Sequence, residues 1–192
     1  MSSEGEGRSK ADLRRHFRGL RLARLPDTEA LLQRQAQEQL PPLLQAKQRL
    51  GLYWPLKGEA DLRGLADHPV LGARLALPRV GGGALLYRSW QCGDALSADE
   101  TGIPAPALGD VLEPEELGLL LVPALAFDAS GIRLGYGGGW FDRLRSDARW
   151  GAIPALAVLP SGCLMETLPR DPWDVPFHGW LDEGGLHWLQ AV

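Results

Sequence analysis

Leu13, Phe17 and Leu20 recur at three- and four-residue spacing among charged residues, which predicts an amphipathic helix from Lys10 to about Arg24, ahead of Pro26. A second helix is expected to start at Asp27 or Thr28 as N-cap, with Leu32, Ala36 and Leu40 as its buried stripe, before Pro41 and Pro42 interrupt it. A further helical turn or two is predicted over 43–49. Strand-like runs follow over 50–54, 74–77, 84–87, 118–122, 153–159 and 179–181, with short helical stretches over 61–67 and 113–117. The segment 91–110 reads as a loop. The run LGLLLVPALAF at 117–127 is apolar without alternation, as in a strand buried on both faces. Strands interleaved with helices predict an α/β fold: a single-domain, open, mostly parallel sheet with helices on both faces, three-layered and Rossmann-like. Residues 1–9 read as a disordered lead-in to one domain over 10–192.

The chain has 192 residues and a formal charge of −4. That balance argues against a nucleic-acid binder, which normally carries a basic surplus. Basic residues cluster only locally, at Arg8, Lys10, Arg14, Arg15, Arg18, Arg21 and Arg24, as in a local anion site or a solvated helix. Cys92 and Cys163 lack the spacing of a disulfide framework or a zinc site, which suits a reducing cytoplasm. No apolar run is long enough to span a bilayer, so no membrane partner is expected.

The stretch RLGYGGGWFDR at 133–143 carries the candidate chemistry. It follows an apolar strand and opens onto a predicted helix from Trp140. Successive small residues let backbone N–H groups converge on an anion, and a helix N-terminus adds partial positive charge. The same glycines equally suit a tight turn that permits close packing. No Lys-Ser or Lys-Thr pair follows them, so this is not a Walker A loop, and the spacing is not the dinucleotide GxGxxG fingerprint. Asp142 reads either as an exposed helix acid or as a magnesium ligand beside phosphates, since hard oxygen donors suit that ion.

The run VPALAFDASGIRLGYGGGWFDR at 122–143 resembles the signature segment of the 5-formyltetrahydrofolate cyclo-ligases (methenyltetrahydrofolate synthetases), approximately VPxxAFDxxGxRLGxGGGYYDR. Lys10 and Arg14 match the family's opening KxxLR-type element, and WPLKGE at 54–59 its glutamate-containing loop. LPRV at 77–80 and PWDVP at 172–176 match two later elements. The likeness extends over about 10–181. It implies ATP- and magnesium-dependent conversion of 5-formyltetrahydrofolate to 5,10-methenyltetrahydrofolate, with release of ADP and phosphate; a cytoplasmic monomer is expected.

Carried onto this sequence, the resemblance gives ATP contacts to Lys10, Arg14, Arg133, Leu134, Gly135, Tyr136, Gly137, Gly138, Gly139, Trp140 and Phe141. Arg133, Lys10 and Arg14 are then the catalytic cations. Trp54, Glu59 and Tyr136 face the reduced folate, and Asp142 takes magnesium. Read alone, Lys10 and Arg14 are a solvated basic face, Glu59 a loop acid, and Trp54 a core aromatic.

Departures fall mainly on the folate side. Trp140 and Phe141 replace the paired tyrosines, removing both hydroxyls. Thr101 and Ala105 stand where the family has an aromatic and a glutamate, leaving folate stacking to Trp90 or Trp54. His178 stands where an aspartate that helps hold metal is expected. A paralogue that activates another formyl or amide substrate with ATP, and a folate- or nucleotide-binding protein without turnover, are the alternatives these departures raise.

Overall fold

The computed structural model describes residues 9–189, so the predicted lead-in over 1–9 lies outside the described part except for Ser9. Ser9 caps the first helix, α1 (Lys10–Gln39), its side chain accepting from the Asp12 N–H at 3.2 Å. Here the structure departs from the predicted pair of helices. Pro26 sits inside one continuous 30-residue helix. It removes the donor for the Leu22 carbonyl, at a cost of about 3 kcal/mol. Leu13, Phe17, Leu25, Leu32 and Ala36 are buried on either side of the proline. Each large apolar side chain among them contributes roughly 1.5–3 kcal/mol, which outweighs that cost.

Seven strands form the central sheet. They are β1 (Arg49–Gly51), β2 (Leu75–Gly81), β3 (Ala84–Trp90), β6 (Leu117–Pro123), β9 (Ala155–Val158), β11 (Gly179–Asp182) and β12 (Gly185–Trp188). Between them lie the short strands β4 (Leu96–Ala98), β5 (Pro104–Pro106), β7 (Ala126–Asp128), β8 (Arg133–Leu134) and β10 (Leu164–Met165). The sheet order is β12-β11-β9-β6-β1-β2-β3. Its five inner strands run parallel, and antiparallel β3 and β12 close the two edges. This is the mostly parallel α/β architecture expected.

Several details differ from the expectation. The stretch read as one strand over 118–127 is broken after Pro123, and 126–128 pairs instead with β8 and β10 in a separate small sheet. Strand β2 runs through Pro78, because its pairing with β1 ends at Ala76 and the chain continues only as a hairpin with β3. The loop predicted over 91–110 contains the β4–β5 hairpin. The turn predicted over 43–49 shrinks to a single 3₁₀ turn at Pro41–Leu43, and 3₁₀ turns replace the other two short helices.

Adjacent strand residues feed opposite layers. Leu119, Leu121, Leu156 and Val158 pack under the second half of α1 with Leu32, Ala36 and Leu40. Leu120, Val122, Ala155 and Ala157 join the other cluster, together with Trp140 and Leu144 of α2 (Trp140–Ser146) and Trp150 of α3 (Ala148–Gly151). Leu13 and Phe17 belong to this second cluster too, so α1 reaches both layers. No described helix is long and apolar enough to cross a membrane.

From β1 the sheet grows through β2 on one side, while β6 lies on the other side and leads away to β9 and β11. The β1/β6 border is therefore the topological switch point, where loops leaving the carboxyl ends of neighbouring strands diverge and leave a crevice.

Candidate active site

A cleft of about 330 Å³ opens at this switch point, between Tyr53 to Glu59 after β1 and Pro123 with residues 133–142 after β6. Lys10, Arg14, Trp54, Glu59 and all ten positions from Arg133 to Asp142 line it.

Asp128 sets the path of the glycine loop. Buried, it accepts N–H groups of Ser130 at 2.9 Å and Ile132 at 3.0 Å on Oδ1, and of Leu168 at 2.7 Å on Oδ2. The turn it makes returns the chain as β8 and delivers residues 135–139 to the cleft mouth. Gly137 and Gly139 have φ of +101° and +64°, conformations that favour glycine. Among the described residues, the N–H groups of Gly137, Gly138 and Gly139 donate to no protein acceptor. Unpaired donors on consecutive residues make a concavity suited to an anion.

Arg133 lies beneath this loop. Its Nη1 donates to the Pro123 carbonyl at 3.1 Å, its Nε has no partner, and its Nη2 lies 3.8 Å from the Asp142 carboxylate. Burial pushes its pKa down, and the charges of Asp142 and Glu59 work the other way. The rings of Phe141 and Phe177 each lie 5.5 Å from the guanidinium. Phe141 thus keeps an aromatic surface against the cation without a hydroxyl.

The first turns of α1 close the cleft from above. Arg14 Nε donates to the Gly135 carbonyl at 2.9 Å, fixing the loop from outside. Lys10 Nζ lies 2.7 Å from both Asp171 and Asp174. Burial opposes its charge, but the hydrogen bonds to the two aspartates outweigh that and raise its pKa. Neither residue belongs to a merely solvated basic face.

Glu59 is 5 % exposed. Its Oε2 accepts the Leu56 N–H at 2.8 Å, while Oε1 is buried with no partner. Burial raises the pKa of this carboxyl, against the opposing effects of the Leu56 N–H and the Arg21 charge. Tyr136 receives a hydrogen bond on its hydroxyl from Arg21, and Trp54 stands edge-on to Trp90 at 6.4 Å. Trp90 is buried and lies outside the cleft, so of the two tryptophans considered for stacking only Trp54 is placed to do so. Thr101 lines the cleft and is tied to Asp99, whereas Ala105 is wholly buried in β5.

The family model for the 5-formyltetrahydrofolate cyclo-ligase family matches residues 6–181. The chain belongs to this family. A 5-formyltetrahydrofolate cyclo-ligase of Escherichia coli strain K12 is 29 % identical over 169 residues, covering 83 % of this chain and 92 % of that protein. One of Mycolicibacterium smegmatis is 32 % identical over 137 residues, covering 64 % and 67 %. The structure of Aquifex aeolicus 5,10-methenyltetrahydrofolate synthetase superposes with a TM-score of 0.72 at 28 % identity, covering 95 % of this chain and 94 % of that one. A Mycoplasma pneumoniae 5,10-methenyltetrahydrofolate synthetase, at 20 % identity and a TM-score of 0.67, shares the fold. The chain is thus a member of a ligase family acting in one-carbon folate metabolism.

In this cyclo-ligase family member, two features of the cleft differ from the sequence expectation. His178, read as standing in for a metal-binding aspartate, does not line the cleft. It directly precedes β11, where Nδ1 accepts the Ala155 N–H at 3.0 Å. From the neighbouring segment it is Asp171 and Asp174, on either side of Trp173, that line the cleft beside Asp142; Trp173 is 67 % exposed. Nothing in the sequence pattern marks these acids or Arg21 as site residues. PWDVP marked the segment, but only the fold brings it to Lys10. No group of three or more His, Cys, Asp or Glu able to hold a metal is present among the described residues. A carboxylate on the cleft wall such as Asp142 is of the kind magnesium takes, since that ion is commonly held by one or two carboxylates together with substrate phosphates and water.

Proposed function

We propose that this chain converts 5-formyltetrahydrofolate to 5,10-methenyltetrahydrofolate, using ATP with magnesium and releasing ADP and phosphate, as a cytoplasmic monomer built as one domain. The observation that carries this reading is the sharing of one cleft by three groups: the unpaired N–H groups of residues 137–139, the buried Arg133 cation and the half-satisfied Glu59 carboxyl.

The glycine-loop amides receive the triphosphate, with Lys10, Arg14 and Arg133 supplying positive charge around it. Leu134 and the rings of Tyr136, Trp140 and Phe141 form walls of the same pocket. Asp142 would hold magnesium, which draws charge from the γ-phosphoryl when bound with the phosphate oxygens. Glu59 Oε1 takes an N–H donor of the pterin, and Trp54 lies beside the ring. With both reactants fixed, the formyl oxygen attacks the γ-phosphorus and the bond to ADP breaks. N10 then adds to the activated formyl carbon, loses its proton to water, and the carbon–oxygen bond breaks as phosphate leaves. Positioning and charge stabilisation are the protein's part in this chemistry.

The test is turnover by the purified chain with 5-formyltetrahydrofolate, ATP and magnesium, followed by the absorbance of the methenyl product. Product should form only with all three present. Its absence at saturating concentrations overturns the reading, and folate binding without product favours a non-catalytic binding protein.

A further inference from the structure

Arg21 is only 2 % exposed, yet among the described residues no carboxylate hydrogen-bonds to it. Its Nη1 donates to the Ala124 carbonyl at 2.9 Å, its Nη2 to the Tyr136 hydroxyl, and its Nε has no partner. A buried guanidinium satisfied only by neutral oxygens is costly unless an anion lies close by. A phenol that accepts from a guanidinium has its own proton free to donate. Glu59 lines the same cleft as that phenol, and its Oε1 is buried and unpartnered.

We propose that Arg21 is a positioning residue of the cleft: acting through the Tyr136 hydroxyl, its buried charge holds the Glu59 carboxylate aimed at the N–H donors of the pterin. The inference rests on the reading of this cleft as the folate site. Arg21 touches no substrate in this role. Its carbonyl partner, Ala124, lies directly after β6, so α1, the end of that strand and the glycine loop are joined at one guanidinium.

The groups that act on Glu59 are Arg21 of α1 and Arg133 and Tyr136 of the glycine-loop segment, while its own charge acts on Tyr53 and Tyr136. Arg18 adds a second cation over the Tyr136 ring, 5.3 Å from its centroid, as does Arg21 at the same distance. Burial raises the Glu59 pKa, and Arg21 and Tyr136 act to lower it. Removing either should shift its ionisation to higher pH, because the carboxylate loses a stabilising neighbour.

The experiment is calorimetric titration of 5-formyltetrahydrofolate without ATP, from about pH 5 to pH 8, into the wild type, Arg21→Met, Tyr136→Phe and the double variant. Each single variant should weaken folate affinity about tenfold at neutral pH, the scale of one charge-assisted hydrogen bond. In each, the acid limb, where affinity falls, should move to higher pH. The double variant should be no weaker than the weaker single one, since both act on one chain of contacts. ADP affinity of Arg21→Met should stay at the wild-type value. Folate affinity and acid limb unchanged in both single variants overturns the inference, as does equal loss of folate and ADP affinity in Arg21→Met. If Arg21→Met does not fold, Tyr136→Phe decides, because its ring is partly exposed. A wild type that does not bind 5-formyltetrahydrofolate overturns the functional reading and this inference with it; normal wild-type binding with unchanged variants overturns this inference alone.

Discussion

Lys10 and Asp174 are 164 residues apart in sequence and 2.7 Å apart in the fold. Their ion pair, shared with Asp171, ties the first turn of α1 to the segment that carries Trp173. A polyphosphate entering the cleft must compete with two carboxylates for this ammonium. Asp171, the more exposed of the two, is the one whose charge can be removed with least harm to the fold. Asp171→Asn is therefore expected to tighten ADP binding roughly two- to fivefold, the scale of a partly exposed ion pair. Calorimetry checks this, and weaker binding would mean that Asp171 itself supports the nucleotide.

Gly137 tests the phosphate cradle. A Cβ there would meet Arg14 first, at 3.4 Å, and the φ of +101° is one that side chains rarely adopt. Gly137→Ala should therefore shift the loop backbone, weakening ADP at least about tenfold at a stability cost on the order of 1–2 kcal/mol. Unchanged ADP affinity would remove the loop amides from the site. Gly138 is a poorer probe, because a Cβ there lies 2.9 Å from the Trp140 ring and would displace that side chain as well.

Asp142 has two roles in this account, and Asp142→Asn separates them. As a magnesium ligand its loss should lower turnover roughly a hundredfold, the scale of one electrostatic stabiliser, with a higher magnesium concentration needed for half-maximal rate. As the carboxylate nearest Arg133 its loss should also lower the melting temperature, since Arg133 is buried. A variant with normal magnesium dependence and reduced stability would leave only the second role.

His178, just before β11, makes stability pH-dependent. Burial first, and the charge of Arg145 second, lower its pKa from the ordinary 6.5. The unfolded chain therefore binds the proton more readily, so the stability from this contact is complete above about pH 6.5 and is lost as pH falls through the lower folded-state value. Protonation would set an N–H donor against the Ala155 N–H that Nδ1 now accepts. Melting curves should show His178→Asn losing less stability than the wild type between neutral and mildly acid pH; parallel losses would assign the effect to other groups.

The parts of the molecule legible in the sequence are those governed by local pattern. β6 and β9 read as strands because both faces are buried, leaving continuous apolar runs. The glycine loop stood out because positive φ and close packing demand one residue type. Long-range packing hid the rest. Pro26 looks like a helix end until apolar residues on both sides are seen to share the sheet as their floor. Arg21 looks like its basic neighbours, since helical spacing alone does not show that a guanidinium is buried. Asp171 and Asp174 acquire a role only once Lys10 is folded over them. By resemblance His178 stands at a metal-site position, whereas its ring nitrogen accepts a backbone N–H.

The central claim is that this cleft transfers a phosphoryl group to the formyl oxygen. The most direct measurement uses 5-formyltetrahydrofolate carrying ¹⁸O in its formyl group, with ATP, magnesium and the purified chain, followed by mass analysis of the inorganic phosphate released. The account predicts one ¹⁸O atom in phosphate for each methenyl product formed. Methenyl product with the label absent from phosphate, or no product at all, would contradict it.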